Sequence, residues 1–84
     1  MLKLALLPNP AAGTTTVAYE LPTGTTATIA VQNLLGQTIR QLAPARQAVG
    51  AQAQSLSLQG PAPGVYLVKL QAGEQTQTAR LLVN

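Results

Sequence analysis

Pro63-Gly64-Val65-Tyr66-Leu67-Val68-Lys69-Leu70 is the stretch whose reading decides the fold. The Pro-Gly pair makes a turn, and the β-branched, aromatic and long apolar residues after it make a strand. Side chains alternate along a strand, so Tyr66, Val68 and Leu70 share one face and Val65, Leu67 and Lys69 the other. Both faces are fairly apolar, which predicts a central strand. Tyr66, one of two tyrosines in a chain with no Phe or Trp, is expected to anchor the core and to need a partner for its hydroxyl. Gly64 is expected to serve the backbone of the turn.

Outward from this strand, turn signals recur about every ten residues, the spacing of an all-β sandwich or barrel. The segments between them read as strands over residues 3–7, 14–20, 25–32, 38–42, 51–58, 65–71 and 75–82. Val17, Tyr19 and Leu21 share an inward face, as do Ala27, Ile29 and Val31, then Leu56 and Leu58, and finally Ala79, Leu81 and Val83. Thr78, Arg80 and Leu82 point outward. Pro8-Asn9-Pro10 is expected to stop the first strand as a rigid corner, since two prolines so close remove two ladder donors. Asn33-Leu34-Leu35-Gly36 has the size of a hairpin loop, with Gly36 taking a positive φ, and one of its leucines is expected to fold back onto the sandwich. Ile39 and Leu42 differ in parity, which calls for a bulge or a change of sheet. Residues 43–50 read as a loop or crossover. The whole predicts a single immunoglobulin-like β-sandwich of about seven short antiparallel strands, one domain over residues 1–84.

Composition narrows the chemistry. The chain has 84 residues with no Cys and no His, so it has neither thiolate nor disulfide, and it lacks the usual general base and the commonest metal ligand. Only Glu20 and Glu74 are acidic, one at a strand end and one in a turn, which places them as separate surface charges. Nothing in this set builds a catalytic, cofactor, metal or small-molecule site, and the reading is of a protein that is not an enzyme. Net charge is +3, from cations scattered along the chain, and this does not make a nucleic-acid surface. The apolar start, residues 1–7, is too short for a signal peptide before Pro8 intervenes. If the domain is exported, its export signal is expected to lie outside this chain.

The punctuation is more specific than the composition. Pro8-Asn9-Pro10-Ala11, Leu21-Pro22, Ile29-Ala30-Val31-Gln32-Asn33-Leu34-Leu35-Gly36-Gln37, Gly50, Leu56 with Leu58, residues 63–70 and Arg80-Leu81-Leu82-Val83 follow one another in order. This ordered set resembles the C-terminal sorting domains of the type IX secretion system of Gram-negative bacteria, over nearly the whole chain. Three features depart from the usual pattern: Asn33 stands where Asp is common, Pro61 where Leu often precedes a glycine, and the closing segment, often richer in Lys, has Arg80 as its sole cation. The resemblance implies a small β-sandwich at the end of a larger cargo. The precursor would cross the periplasm, be recognised by the outer-membrane translocon, and reach the cell surface or medium, where a surface sortase typically removes the domain. The final strand, ending at Val83-Asn84, is expected to suit a natural C-terminus. Pro8, Asn9, Pro10, Lys69, Arg80 and Leu82 are the candidate recognition residues, and Gly36, Gly64 and Tyr66 the structural ones.

Blander readings stand beside these. Leu21-Pro22-Thr23-Gly24 is similar to the Gram-positive sortase signal but lacks its residue between Pro and Thr and its hydrophobic tail, so it reads as a turn. Lys69 can keep its face soluble, and the proline corner can be purely structural. A cell-surface adhesion module or a structural immunoglobulin-like spacer is the alternative function. An adhesin would present exposed aromatics or an acidic metal site, whereas Tyr19 and Tyr66 both sit on core faces.

Overall fold

The computed structural model describes residues 3–58 and 62–84, with residues 8–12 described at the level of the backbone. Eight strands follow in order: β1 (Ala5–Ala12), β2 (Thr14–Leu21), β3 (Thr25–Gln32), β4 (Thr38–Gln41), β5 (Ala45–Gln47), β6 (Gly50–Ser57), β7 (Gly64–Ala72) and β8 (Gln75–Val83). Among the described residues there is no helix, and none is long and apolar enough to cross a membrane. The strands form the two layers of a small, mainly antiparallel β-sandwich. The first half of β1, β2 and β6 make one layer, and β3, β7 and β8 form the body of the other. That arrangement places β1, β2 and β6 where an immunoglobulin domain has strands A, B and E, and β3, β7 and β8 where it has C, F and G.

Alternation explains the core. Val17, Tyr19, Leu21 and Leu56 from one layer meet Ile29, Val31, Val68, Leu70, Leu81 and Val83 from the other, all buried. Burial of each such side chain stabilises the fold by roughly 1.5–3 kcal/mol. The strand that opened the reading is central, as expected: β7 lies between β3 and β8, paired to both.

Tyr66 departs from expectation. Its ring is half-buried and packs against the core from the margin, with its hydroxyl donating to the Ala62 carbonyl. That bond holds the ring toward the turn before β7 and away from the centre. Tyr19 takes the deep aromatic position at 2% exposure, and its hydroxyl accepts from Gln54 Nε2 at 3.3 Å, so the polar end of a buried ring is satisfied.

Two boundaries also change. Pro8-Asn9-Pro10 does not end the first strand; β1 continues through it to Ala12. Before the prolines, Ala5, Leu6 and Leu7 pair with β2, and beyond them Ala11 pairs in parallel with Val83 of β8. The missing donors therefore fall between the Leu7↔Thr16 and Ala12↔Thr14 pairs, where the β1–β2 ladder is interrupted and no ladder bond is required. The second change is β5, inside the segment expected to be a loop, which pairs with residues 25–27 on the edge of β3 that β4 occupies further along. β4 and β5 are thus one edge strand interrupted around Pro44. As expected, the register slips between Val31↔Arg40 and Gln32↔Thr38, which supplies the bulge that the parity of Ile39 and Leu42 requires. The Gly60-Pro61 departure from the family pattern lies outside the described residues.

Candidate recognition surface

Outward-facing residues of β7 and β8 build one surface. Antiparallel partners share a face, and the register sets Val65 opposite Leu82, Leu67 opposite Arg80, and Lys69 opposite both Thr78 and Ala30. Directly opposite side chains lie ~5 Å apart at Cβ and diagonal ones ~7–8 Å, so Lys69 and Arg80 are diagonal neighbours. Three of the sequence candidates, Lys69, Arg80 and Leu82, therefore come together. Leu82 is 39% exposed, Arg80 exposed and Lys69 half-buried. No carboxylate points outward from these two strands: Glu20 lies on β2 in the other layer, and Glu74 in the turn between β7 and β8. The face is apolar at one end and cationic beside it.

The proline segment joins the same region. Because Ala11 bridges to Val83, β8 has β7 on one side and the second half of β1 on the other. Pro8, Asn9 and Pro10 lie just before that bridge in β1, and their side chains lie outside the described residues. The backbone brings them to the strand that carries Arg80 and Leu82. Sequence reasoning missed this convergence, because a parallel bridge between the first strand and the last leaves no periodic signal in either.

At the C-terminal end of β3, where Gln32 stands opposite Leu67 of β7, the side chain of Asn33 closes the β3–β4 hairpin. The Asn33 side-chain oxygen accepts from the Leu35 N–H at 2.9 Å and the Gln37 N–H at 3.0 Å, and Asn33 Nδ2 donates to Gln37 Oε1 at 2.8 Å. The Gly36 N–H donates to the Asn33 carbonyl at 3.0 Å. Gly36 has φ +84°, as its place in the loop requires. The expectation that one leucine folds back is corrected here: Leu34 and Leu35 are 69% and 84% exposed, because the Asn33 bonds turn the loop tip away from the sandwich.

The remaining features carry no chemistry of their own. Glu20 pairs with Lys3 at 3.1 Å, an exposed contact of the kind that contributes ~0–1 kcal/mol. A shallow groove of about 220 Å³ near the β7–β8 turn is lined by Leu21, Pro22, Thr25 and Glu74 among others, smaller than the ~300–1,000 Å³ of ligand pockets. Among the described residues no cluster of His, Cys, Asp or Glu could hold a metal ion.

The result is a cysteine-free β-sandwich in which the candidate residues of β7 and β8 share an open face, apolar at one end and cationic beside it. The family model described as Secretion system C-terminal sorting domain matches residues 5–84. The chain belongs to this family, the C-terminal sorting domains of the type IX secretion system. Domains of this kind are generally non-catalytic, serve as secretion signals with the cargo N-terminal to them, and belong to secreted or cell-surface proteins. No curated protein matches the chain.

Proposed function

We propose that residues 1–84 form one domain that directs a larger cargo, joined at its N-terminal side, across the outer membrane through the type IX translocon, and that a surface sortase then removes it. The cargo resides in the periplasm in transit and ends at the cell surface or in the medium. The translocon reads the outer face of β7 and β8, with Lys69 and Arg80 meeting anionic groups and Leu82 meeting an apolar one. The Pro8-Asn9-Pro10 segment completes the recognised region from the neighbouring strand. The observation that supports this reading is the family match over residues 5–84, together with the placing of Arg80 and Leu82 on β8 and of Lys69 and the Pro8-Asn9-Pro10 backbone on the strands to either side of it.

The test fuses the chain to a periplasmic reporter in a host with the type IX machinery and compares it with the double variant Arg80→Ser, Leu82→Thr. Both positions face outward, and the new residues suit a strand, so the core is untouched. The variant is expected to melt as the parent does and to leave the reporter in the periplasm. Normal export of the variant would remove β8 from the recognised surface.

A further inference from the structure

Strand β6 is the edge of its layer. It pairs with β2 along its full length, from Leu21↔Gly50 to Thr14↔Ser57, without a register break. Among the described residues nothing pairs with its other side. One bond tells which backbone groups face outward. The Leu58 N–H donates to the Gly13 carbonyl at 2.7 Å, which makes that position a hydrogen-bonded pair continuing the β2–β6 register. Bonded and non-bonded pairs alternate in an antiparallel ladder. Gln52, Gln54 and Leu56 therefore direct their N–H and C=O groups to β2, and Ala51, Ala53, Ser55 and Ser57 direct theirs to the open side.

Proteins guard such edges with short strands, charges, prolines or bulges. The outer edge of the other layer is guarded in this way: β4 has 4 residues, β5 has 3, Pro44 interrupts them, and Arg40 and Arg46 lie on them. β6 has 8 residues, Gly-Ala-Gln-Ala-Gln-Ser-Leu-Ser, with no charge, no proline and no bulge. Its outward row consists of small side chains, all exposed, so a neighbouring strand meets no steric barrier.

We infer that β6 is a self-association edge, pairing antiparallel with β6 of a second copy of this chain to join two sandwiches through a continuous sheet. The strand is complementary to itself. With the two-fold axis at Ala53, Ala51 stands opposite Ser55 of the partner subunit, and the pairing supplies about six backbone hydrogen bonds, two per bonded pair. On the inner side Gln52 meets Gln54 of the partner subunit; within each copy their Nε2 groups donate to the Ala48 carbonyl and the Tyr19 hydroxyl, which leaves the amide oxygens and second N–H groups for the contact. The copies each carry +3, but none of the five cations lies on β6, so the contact concentrates no like charge. A two-fold contact of this type uses up both edges and closes at the dimer. One strand pair falls below the ~1,200 Å² of stable interfaces, so association is weak and depends on concentration.

Sedimentation velocity of the 84-residue chain across micromolar to submillimolar concentrations tests this. A monomer–dimer equilibrium is expected. Ala53→Pro removes an outward N–H and spares the β2 ladder, so dimerisation should weaken about tenfold or more while the thermal melt persists. Ser55→Lys, at an exposed position, sets a charge on the edge and should have the same effect. It decides the matter alone should Ala53→Pro fail to fold. Leu34→Ser with Leu35→Ser, far from β6 in the sheet order, should leave the equilibrium unchanged. A monomer at every concentration, a dimer indifferent to Ser55→Lys, or a dimer lost through the leucine change would each overturn the inference.

Discussion

Tyr19 and Tyr66 look alike in sequence, each on the apolar face of an alternating strand, and the structure gives them different depths. Tyr19 is buried with its hydroxyl bonded to Gln54, while Tyr66 lies at the margin with its hydroxyl on Ala62. Alternation reports which face a residue occupies. It does not report how far along the strand the core reaches. Tyr19→Ala should therefore cost ~3–5 kcal/mol, a large share of the ~5–15 kcal/mol typical of a domain, and Tyr66→Ala clearly less. Urea midpoints that rank Tyr66→Ala as the worse of the two would reverse this assignment. Gly64 is different again. At φ +153° with no atom within 4 Å of an added Cβ, it is constrained by backbone conformation alone, and Gly64→Val should cost about 1–3 kcal/mol from that source. Lys69→Gln, on the outer face, should stay within ~0.5 kcal/mol of the parent by the same measurement.

The elements that sequence reading located well are those with a complete period-2 pattern between two turn signals. β3 spans the expected residues, and β2 and β8 differ by a residue at an end. β1 and β5 were not legible for physical reasons. Prolines ordinarily end a ladder, and only the distant bridge of Ala11 to Val83 gives β1 a reason to continue. Ala45-Arg46-Gln47 is too short to show alternation, and its pairing with β3 depends on the edge left open beyond β4. The hairpin loop was placed correctly, but the outward aim of its leucines rests on Asn33 bonds that spacing does not reveal. Asn33→Ala removes the acceptor for two backbone N–H groups. It should lower stability by about 1 kcal/mol, since these exposed donors recover bonds to water. Amide exchange at Leu35 and Gln37 should quicken in that variant, and unchanged protection would show that the side chain does not hold the loop.

For the molecule as a whole, the sandwich follows from alternation and turn spacing, and the function follows from the ordered set of motifs that marks the family. The proposed recognition surface was only half legible. Lys69, Arg80 and Leu82 could be put on outward faces from parity, but their meeting with the proline segment depends on a parallel contact between the two ends of the chain. Under the proposed function this topology gives β8 a part in both stability and recognition. Its inner residues Leu81 and Val83 belong to the core, while Arg80 and Leu82 face out. Simple truncation of β8 therefore confounds unfolding with loss of a signal. The most direct measurement keeps the chain intact and changes the host. A periplasmic reporter carrying residues 1–84 at its C-terminus is expressed in cells with a working type IX translocon and in cells without one, and its location is followed by surface protease accessibility and by fractionation. The account predicts reporter at the surface or in the medium in the first host and folded reporter held in the periplasm in the second. A reporter that stays in the periplasm of both hosts, with the domain folded, would contradict it.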